Sequence, residues 1–222
     1  MRQIVLDTET TGLSPSDDRV VEIGCVELVD GRSTGRTFQR YVNPERSMPA
    51  GAFLVHGISD ADLDGKPVFA DVVEEFLAFV GDARLVIHNA PFDLGILNAE
   101  LRRCGRGQIA LDRATDTLVL ARARYGRAMT LDALCRKFGV SLDSRRQGHG
   151  ALVDAKLLAQ VYVELVGGKQ ASLSVEIAEA ATALPGLSPA EWTPRLVYPT
   201  EVEAAAHAAF METVPDAIWR TV

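Results

Sequence analysis

Three strand-like runs crowd into the first 42 residues, and that crowding restricts the possible folds more than any other feature. Residues 2–9 begin with apolar Ile4, Val5 and Leu6, and residues 20–29 read VVEIGCVELV, with Val21, Ile23, Cys25 and either Val26 or Leu28 turned inward. After the turn signal Asp30-Gly31 the chain returns as a strand from Arg36 to Val42. Strands this close in sequence, joined by turn residues, form an antiparallel meander. Helical spacing follows: Val68, Val72, Phe76 and Phe79 recur between Pro67 and Val80. A brief strand is expected over Arg84–His88 and a helix over Asn89–Cys104, with Pro91 in its first turn. Further helices are expected over 116–125, after Thr130 as N-cap, and over 151–166. The order βββαβα, then helices, predicts an α/β domain with a mixed sheet.

Four carboxylates sit where apolar side chains belong. Side chains alternate along a strand, so Val5, Asp7 and Glu9 share one face, and two like charges project together from the end of a buried run. Each raises the other's pKa unless a cation lies between them. Asp154 falls on the inward stripe of the last long helix, with Leu157, Leu158, Val161 and Leu165, so it is paired with a buried arginine, protonated or bound to metal. Asp93 occupies the first turn of the helix after the short strand, where an acid suits the helix dipole but where sheet proteins also build sites. His149, between Gly148 and Gly150, lies in a loop five residues before Asp154. Four acids make an all-oxygen site suited to two divalent cations, Mg²⁺ or Mn²⁺, the apparatus of phosphodiester hydrolysis, with a neutral histidine able to take a proton from water.

The formal net charge of −7 opposes broad binding along duplex DNA, which needs a basic face. Contact with nucleic acid is therefore expected to be small, metal-mediated or assisted by a partner. No apolar stretch reaches the roughly 18 residues of a membrane span, and the N-terminus has no signal-peptide pattern, so a cytoplasmic location without membrane contact is expected. Cys25, Cys104 and Cys135 are isolated and read as small core residues.

The stretches DTETTG, HNAPFD and HGALVDA, in this order and spacing, resemble the three motifs of the DEDDh family of 3′→5′ exonucleases. VEIGCVELV, VHGISD, TDTLVLAR, LDALCRKFGV and LLAQVYVELVGGKQ extend the likeness over residues 2–170, most strongly to the family's proofreading branch, the epsilon subunits of bacterial DNA polymerase III. The sister group carries Tyr four residues before the last Asp; here position 150 is Gly, and His149 fits the DEDDh pattern. The resemblance implies a ribonuclease-H-like fold with a five-stranded mixed sheet flanked by helices, and removal of mononucleotides from single-stranded or mispaired DNA 3′ ends. It implies that Asp7, Glu9 and Asp154 hold one ion, that Asp7 bridges to a second which Asp93 helps position, and that His149 is the general base. It further implies that Thr8, Thr11, Gly12 and His56, together with Asp7, Glu9 and Asp154, meet the terminal nucleotide. Some members have an acidic residue five positions before His56; this chain has Gly51. His88 and Asn89 read as structural.

Gly167-Gly168 ends the last long helix, dividing the chain into an exonuclease domain at 1–168, an Ala/Ser/Pro-rich linker at 169–199 and a helical segment at 200–222. QASLSV at 170–175 resembles the family's sliding-clamp peptide, with Ser174 and Val175 in place of larger apolar residues, so weak binding is implied. Thr200 with Glu203 forms a capping box, and Val202, Ala206, Ala209, Phe210 and Val214, continued by Ile218 and Trp219, make an apolar stripe. Residues 200–222 resemble the segment that docks on the polymerase's alpha subunit, and a small theta-like subunit is a third implied partner. Other readings are a DEDDh exoribonuclease that selects RNA through the 2′-OH, a free-standing DNA repair exonuclease, and a non-catalytic scaffold.

Overall fold

The computed structural model describes residues 1–145, 149–167 and 198–213, which fall in two units, one within Met1–Ser172 and one within Leu173–Val222. The first unit runs β1 (Arg2–Thr10), β2 (Val20–Val29), β3 (Arg32–Tyr41), α1 (Ala50–His56), α2 (Asp60–Leu63), α3 (Phe69–Val80), β4 (Arg84–Ile87), α4 (Ala90–Arg103), β5 (Ala114–Asp116), α5 (Thr117–Tyr125), α6 (Leu131–Phe138) and α7 (Ala151–Leu165). The second holds α8 (Glu201–Glu212).

The sheet order is β3-β2-β1-β4-β5. The first three strands form the expected antiparallel meander, while β4 runs parallel to β1 and β5 parallel to β4. The third strand begins at Arg32, four residues before the sequence pattern suggested, because it follows the Asp30-Gly31 turn directly, with Val29 opposite Arg32.

Both faces of the sheet are covered, so β2 is buried along nearly its whole length and both Val26 and Leu28 are inside. Ile4, Leu6, Ile23 and Cys25 face α3 and α4, in a core with Phe69, Phe76, Leu97 and Leu101. Val5, Val26, Leu28 and Val86 face α5, α6 and α7, in a core with Leu134, Leu157, Leu158 and Val161. On α3 the buried stripe is Phe69, Val72, Val73, Phe76 and Val80; Phe79 packs at its margin, where the guanidinium of Arg36 lies over its ring. Cys25 and Cys135 are buried core residues and Cys104 is half-buried; all three are free thiols.

The strand alternation decides where the site forms. β1 pairs with β4 only over Gln3–Val5, whereas its pairing with β2 continues to Thr10. The carboxyl end of β1 thus extends past its parallel neighbour, at the point where the strand order reverses from β1-β2-β3 on one side to β4-β5 on the other, and ligand crevices open at such switch points.

Candidate active site

On the sheet face beneath α7, the cross-strand pairs of β1 and β2 read Val5–Val26, Asp7–Gly24 and Glu9–Glu22. An apolar face becomes acidic within four residues. Gly24 lets α7 reach it: a Cβ there would lie 2.2 Å from the carbonyl carbon of Ala151 and the nitrogen of Leu152, so the first turn of the helix rests directly on β2. Glu22 fixes that turn by accepting a hydrogen bond from the Ala151 N–H at 2.9 Å, while its other oxygen accepts from Gln39 at 2.7 Å. Gly150, the N-cap residue, offers no side-chain cap, so a glutamate from the sheet supplies it.

Held this way, α7 delivers Asp154, 5% exposed, to the end of β1. One carboxylate oxygen from each of Asp7, Glu9 and Asp154 lies within 4.8 Å of the others. His149 joins through Asp154, its Nδ1 lying 3.2 Å from Oδ2, with the side chain 43% exposed to solvent. Arg145, from a short 3-10 turn at Asp143–Arg145, forks onto both oxygens of Asp154 and bonds Asp132 in the first turn of α6. Asp154 is thus paired with an arginine, as one reading of the sequence expected, while its carboxylate also stands among the acids that could hold a metal ion.

Asp93 arrives from the other side of the strand. Thr8 points toward α4, and its amide and hydroxyl both donate to Asp93 Oδ1, at 3.1 and 2.8 Å. The Asp93 carboxylate is buried and lies outside the trio of Asp7, Glu9 and Asp154. Its helix is aimed by a left-handed turn at Asn89 (φ 72°), which the Asp116 carboxylate pins by accepting from the amides of Asn89 and Ala90.

The acids oppose one another's ionisation. Burial, then the charges of Asp93, Asp154 and Glu9, hold the Asp7 carboxyl well above the usual range. Burial, then Asp154 and Glu22, push Glu9 from its ordinary 4.5 to about 8. Burial raises Asp93 to about 7 against the lowering effect of its Thr8 hydrogen bonds. A cation among them would relieve this crowding.

The remaining candidate residues fall in two groups. His56 is buried beside the site, its Nδ1 accepting from the Ile58 N–H at 3.0 Å and its Nε2 without a hydrogen-bond partner among the described residues. Burial lowers its pKa, against the raising effect of the Thr10 backbone, which lies beside the ring outside strict hydrogen-bond geometry, and the nearby His149 adds to the lowering. Thr11 and Gly12 belong to the loop after β1, where Thr11 donates to Asp18 at 2.9 Å and Gly12 leaves room for that carboxylate. The hydroxyls of Thr8 and Thr11 are thus both engaged within the protein. His88 bonds Thr117 at 2.9 Å, in keeping with its structural reading.

Residues 4–162 match the model of an exonuclease family, RNase T. The chain belongs to this exonuclease family. It is 46% identical to the DNA polymerase III subunit epsilon of Rickettsia felis, over 96% of this chain and 97% of that protein. It is 38% identical to the protein of that name in Escherichia coli K12, over 99% and 97%. Among solved structures, exonuclease X in complex with 5′ overhanging duplex DNA matches with a TM-score of 0.58 at 25% identity, over 74% of this chain and 90% of the other. E. coli exonuclease I with a dA16 oligonucleotide shares the fold, with a TM-score of 0.65 at 19% identity, over 74% and 40%. The exonuclease family is metal-dependent, and the all-oxygen donor set of crowded carboxylates fits hard divalent ions.

Sequence reasoning missed Arg145, Asp132, Glu22, Gly24 and Asp116. A basic residue four positions before His149 was visible, but its partners lie on two helices that only the fold brings together.

Proposed function

We propose that the chain is a 3′→5′ exonuclease that removes mononucleotides from single-stranded or mispaired DNA 3′ ends, as the proofreading subunit of a bacterial replicative polymerase. The observation that carries this reading is the meeting of Asp7, Glu9 and Asp154 within 4.8 Å, with His149 hydrogen-bonded to Asp154. The polymerase III epsilon relatives, matched over nearly their whole length, support the DNA and the polymerase.

Asp7, Glu9 and Asp154 would hold one Mg²⁺ or Mn²⁺, with Asp7 shared with a second ion that Asp93 helps to position. Bound there, the ions supply charge that polarises the attacking water and offsets negative charge developing on the phosphate. His149 is the general base. With Nδ1–H donated to Asp154, Nε2 is left with a lone pair to accept the water's proton. His56 has the opposite tautomer: Nδ1 accepts from Ile58, so Nε2 carries the hydrogen; buried against the Thr10 backbone, the ring would support the terminal nucleotide's place from behind the end of β1. The Thr8 and Thr11 hydroxyls are engaged within the protein, as are the amides of both residues, so contact with the terminal sugar would come from the other backbone groups around Thr8 to Gly12.

Two partners are read from the tail, the polymerase alpha subunit through residues 200–222 and, weakly, the sliding clamp through 170–175; a small theta-like third subunit rests on the family resemblance alone. The 170–175 peptide lies outside the described residues.

The test is degradation of matched single-stranded DNA and RNA, and of paired and mispaired primer ends, with Mg²⁺ and with EDTA. Preference for unpaired DNA 3′ ends that EDTA abolishes is the expected result. Equal or greater activity on RNA would replace the proofreading reading with exoribonuclease activity, and inactivity on every substrate would leave a scaffold.

A further inference from the structure

Asp154 has no oxygen free of positive charge or polar contact. Arg145 Nε bonds Oδ1, Arg145 Nη2 bonds Oδ2, and His149 Nδ1 approaches Oδ2 at 3.2 Å. The Arg145 side chain is 11% exposed and that of Asp154 7%, so the pair is shielded from water on most sides. Its third nitrogen is anchored to Asp132, which belongs to α6 and not to the acidic trio. Arg145 also counters the upward push on the carboxyls of Asp7 and Glu9, so its charge is felt across the whole trio.

A fork of this kind is planar, fixed in direction and always charged. It engages both oxygens of the carboxylate that the trio would present to a metal ion, one lone pair on each. A divalent cation shared by Asp7, Glu9 and Asp154 and a guanidinium bonded to both oxygens of Asp154 compete for one carboxylate, and their charges repel.

We propose that Arg145 is an internal counter-ion of the exonuclease: it neutralises and orients Asp154 until a divalent cation displaces it, so that competition between the two sets the cation concentration at which the site fills. This rests on the metal-binding reading given under Proposed function. Asp132 gives the displaced side chain a place to stay. A rotation about the Nη1–Asp132 bond would withdraw Nε and Nη2 from Asp154 while keeping that anchor, which Arg136, 3.7 Å from the other Asp132 oxygen, shares. Arg145 is thus a positioning residue, acting on the chemistry through Asp154.

The experiment is calorimetric titration of the full chain with Mn²⁺, without DNA, comparing wild type with Arg145→Gln and Arg145→Lys. Linked binding events commonly couple by roughly 5–150-fold, so Arg145→Gln should bind Mn²⁺ about tenfold more tightly. The same variant should melt at a lower temperature than wild type in EDTA, with the gap narrowing at saturating Mn²⁺. A purely structural arginine would give the opposite sign, since a disordered site binds metal less well. Unchanged or weakened Mn²⁺ affinity in Arg145→Gln overturns the proposal. If that variant fails to fold without metal, Arg145→Lys carries the test: it keeps the charge but loses the fork, so its affinity must still rise, by less. No rise there overturns the proposal equally. If wild type itself binds no Mn²⁺, the metal reading falls and takes this one with it, whereas tight wild-type binding unaltered by either variant removes this one alone.

Discussion

Each acid at the site has a different neighbour, and the neighbours separate their roles. Asp7 stands in the trio with its carboxyl raised by burial and by three other acids, so Asp7→Ala should abolish hydrolysis of single-stranded DNA while leaving the circular dichroism spectrum unchanged; near-normal turnover would remove Asp7 from the cation site. His149 is half-exposed and tied to Asp154 by one nitrogen only. His149→Ala should therefore bind Mn²⁺ and hydrolyse at least ~10²-fold more slowly, the usual minimum for losing a general base, with the limb of the pH–rate profile belonging to that base absent. Glu9 and Asp93 predict how metal-free stability varies with pH. Glu9 titrates at about 8 when folded against an ordinary 4.5, and Asp93 at about 7 against 3.8. Between those limits the folded chain holds more protons than the unfolded one, so stability falls as pH rises from about 4.5 to about 8. Melting temperature in EDTA should decline across that window. A flat or rising profile would show that these carboxyls are not forced together.

The elements owe their arrangement to contacts that local sequence does not announce. Gly24 carries no side chain because α7 occupies the space, and Gly24→Ala must push Ala151 away or distort β2. Overpacking of this kind typically costs about 1–3 kcal/mol, so the variant should melt lower. It should also lose activity beyond its loss of folded protein, since Asp154 and His149 move with the helix; full specific activity would show that α7 tolerates displacement. β1, β2 and the long helices were legible because their apolar residues repeat at strand or helix spacing, and Asp7, Glu9 and Asp154 stood out as charges in those patterns. What gave no signal was short or irregular. β5 has three residues, and α1 buries only His56, leaving Phe53, Leu54 and Val55 exposed, so no apolar stripe marks it. Arg145 sits in a 3-10 turn without periodicity, and Glu22 finds its partner 129 residues away. Such pairings become visible only once the sheet has brought the two ends together.

At the scale of the whole chain, an acidic protein with a net charge of −7 must act on a polyanion, and nothing in the site's carboxylates attracts DNA by itself. Attachment to a polymerase resolves this, because a tether replaces affinity with high effective concentration at the primer end. In the proposed function α8 is that attachment. Thr200 and Glu203 close a capping box at its start, yet Val202 and Phe210 are exposed, and a helix of 12 residues is marginal alone in water. Val214, Ile218 and Trp219, which the sequence adds to the same stripe, lie outside the described residues. The acidic trio, Asp93, His149 and Arg145 all belong to the first unit and α8 to the second, so with α8 as the proposed attachment, chemistry and attachment are separable. Removing residues 200–222 should therefore leave the rate on free oligonucleotides within about twofold of the full chain, since no site residue is touched. It should abolish co-purification with the polymerase alpha subunit and cut excision at a polymerase-bound mispair by roughly 10²-fold or more, the scale of a lost effective concentration. If the truncated chain still co-purifies, attachment lies elsewhere in the first unit or the linker; if the free-oligonucleotide rate collapses, the segment serves the exonuclease fold itself.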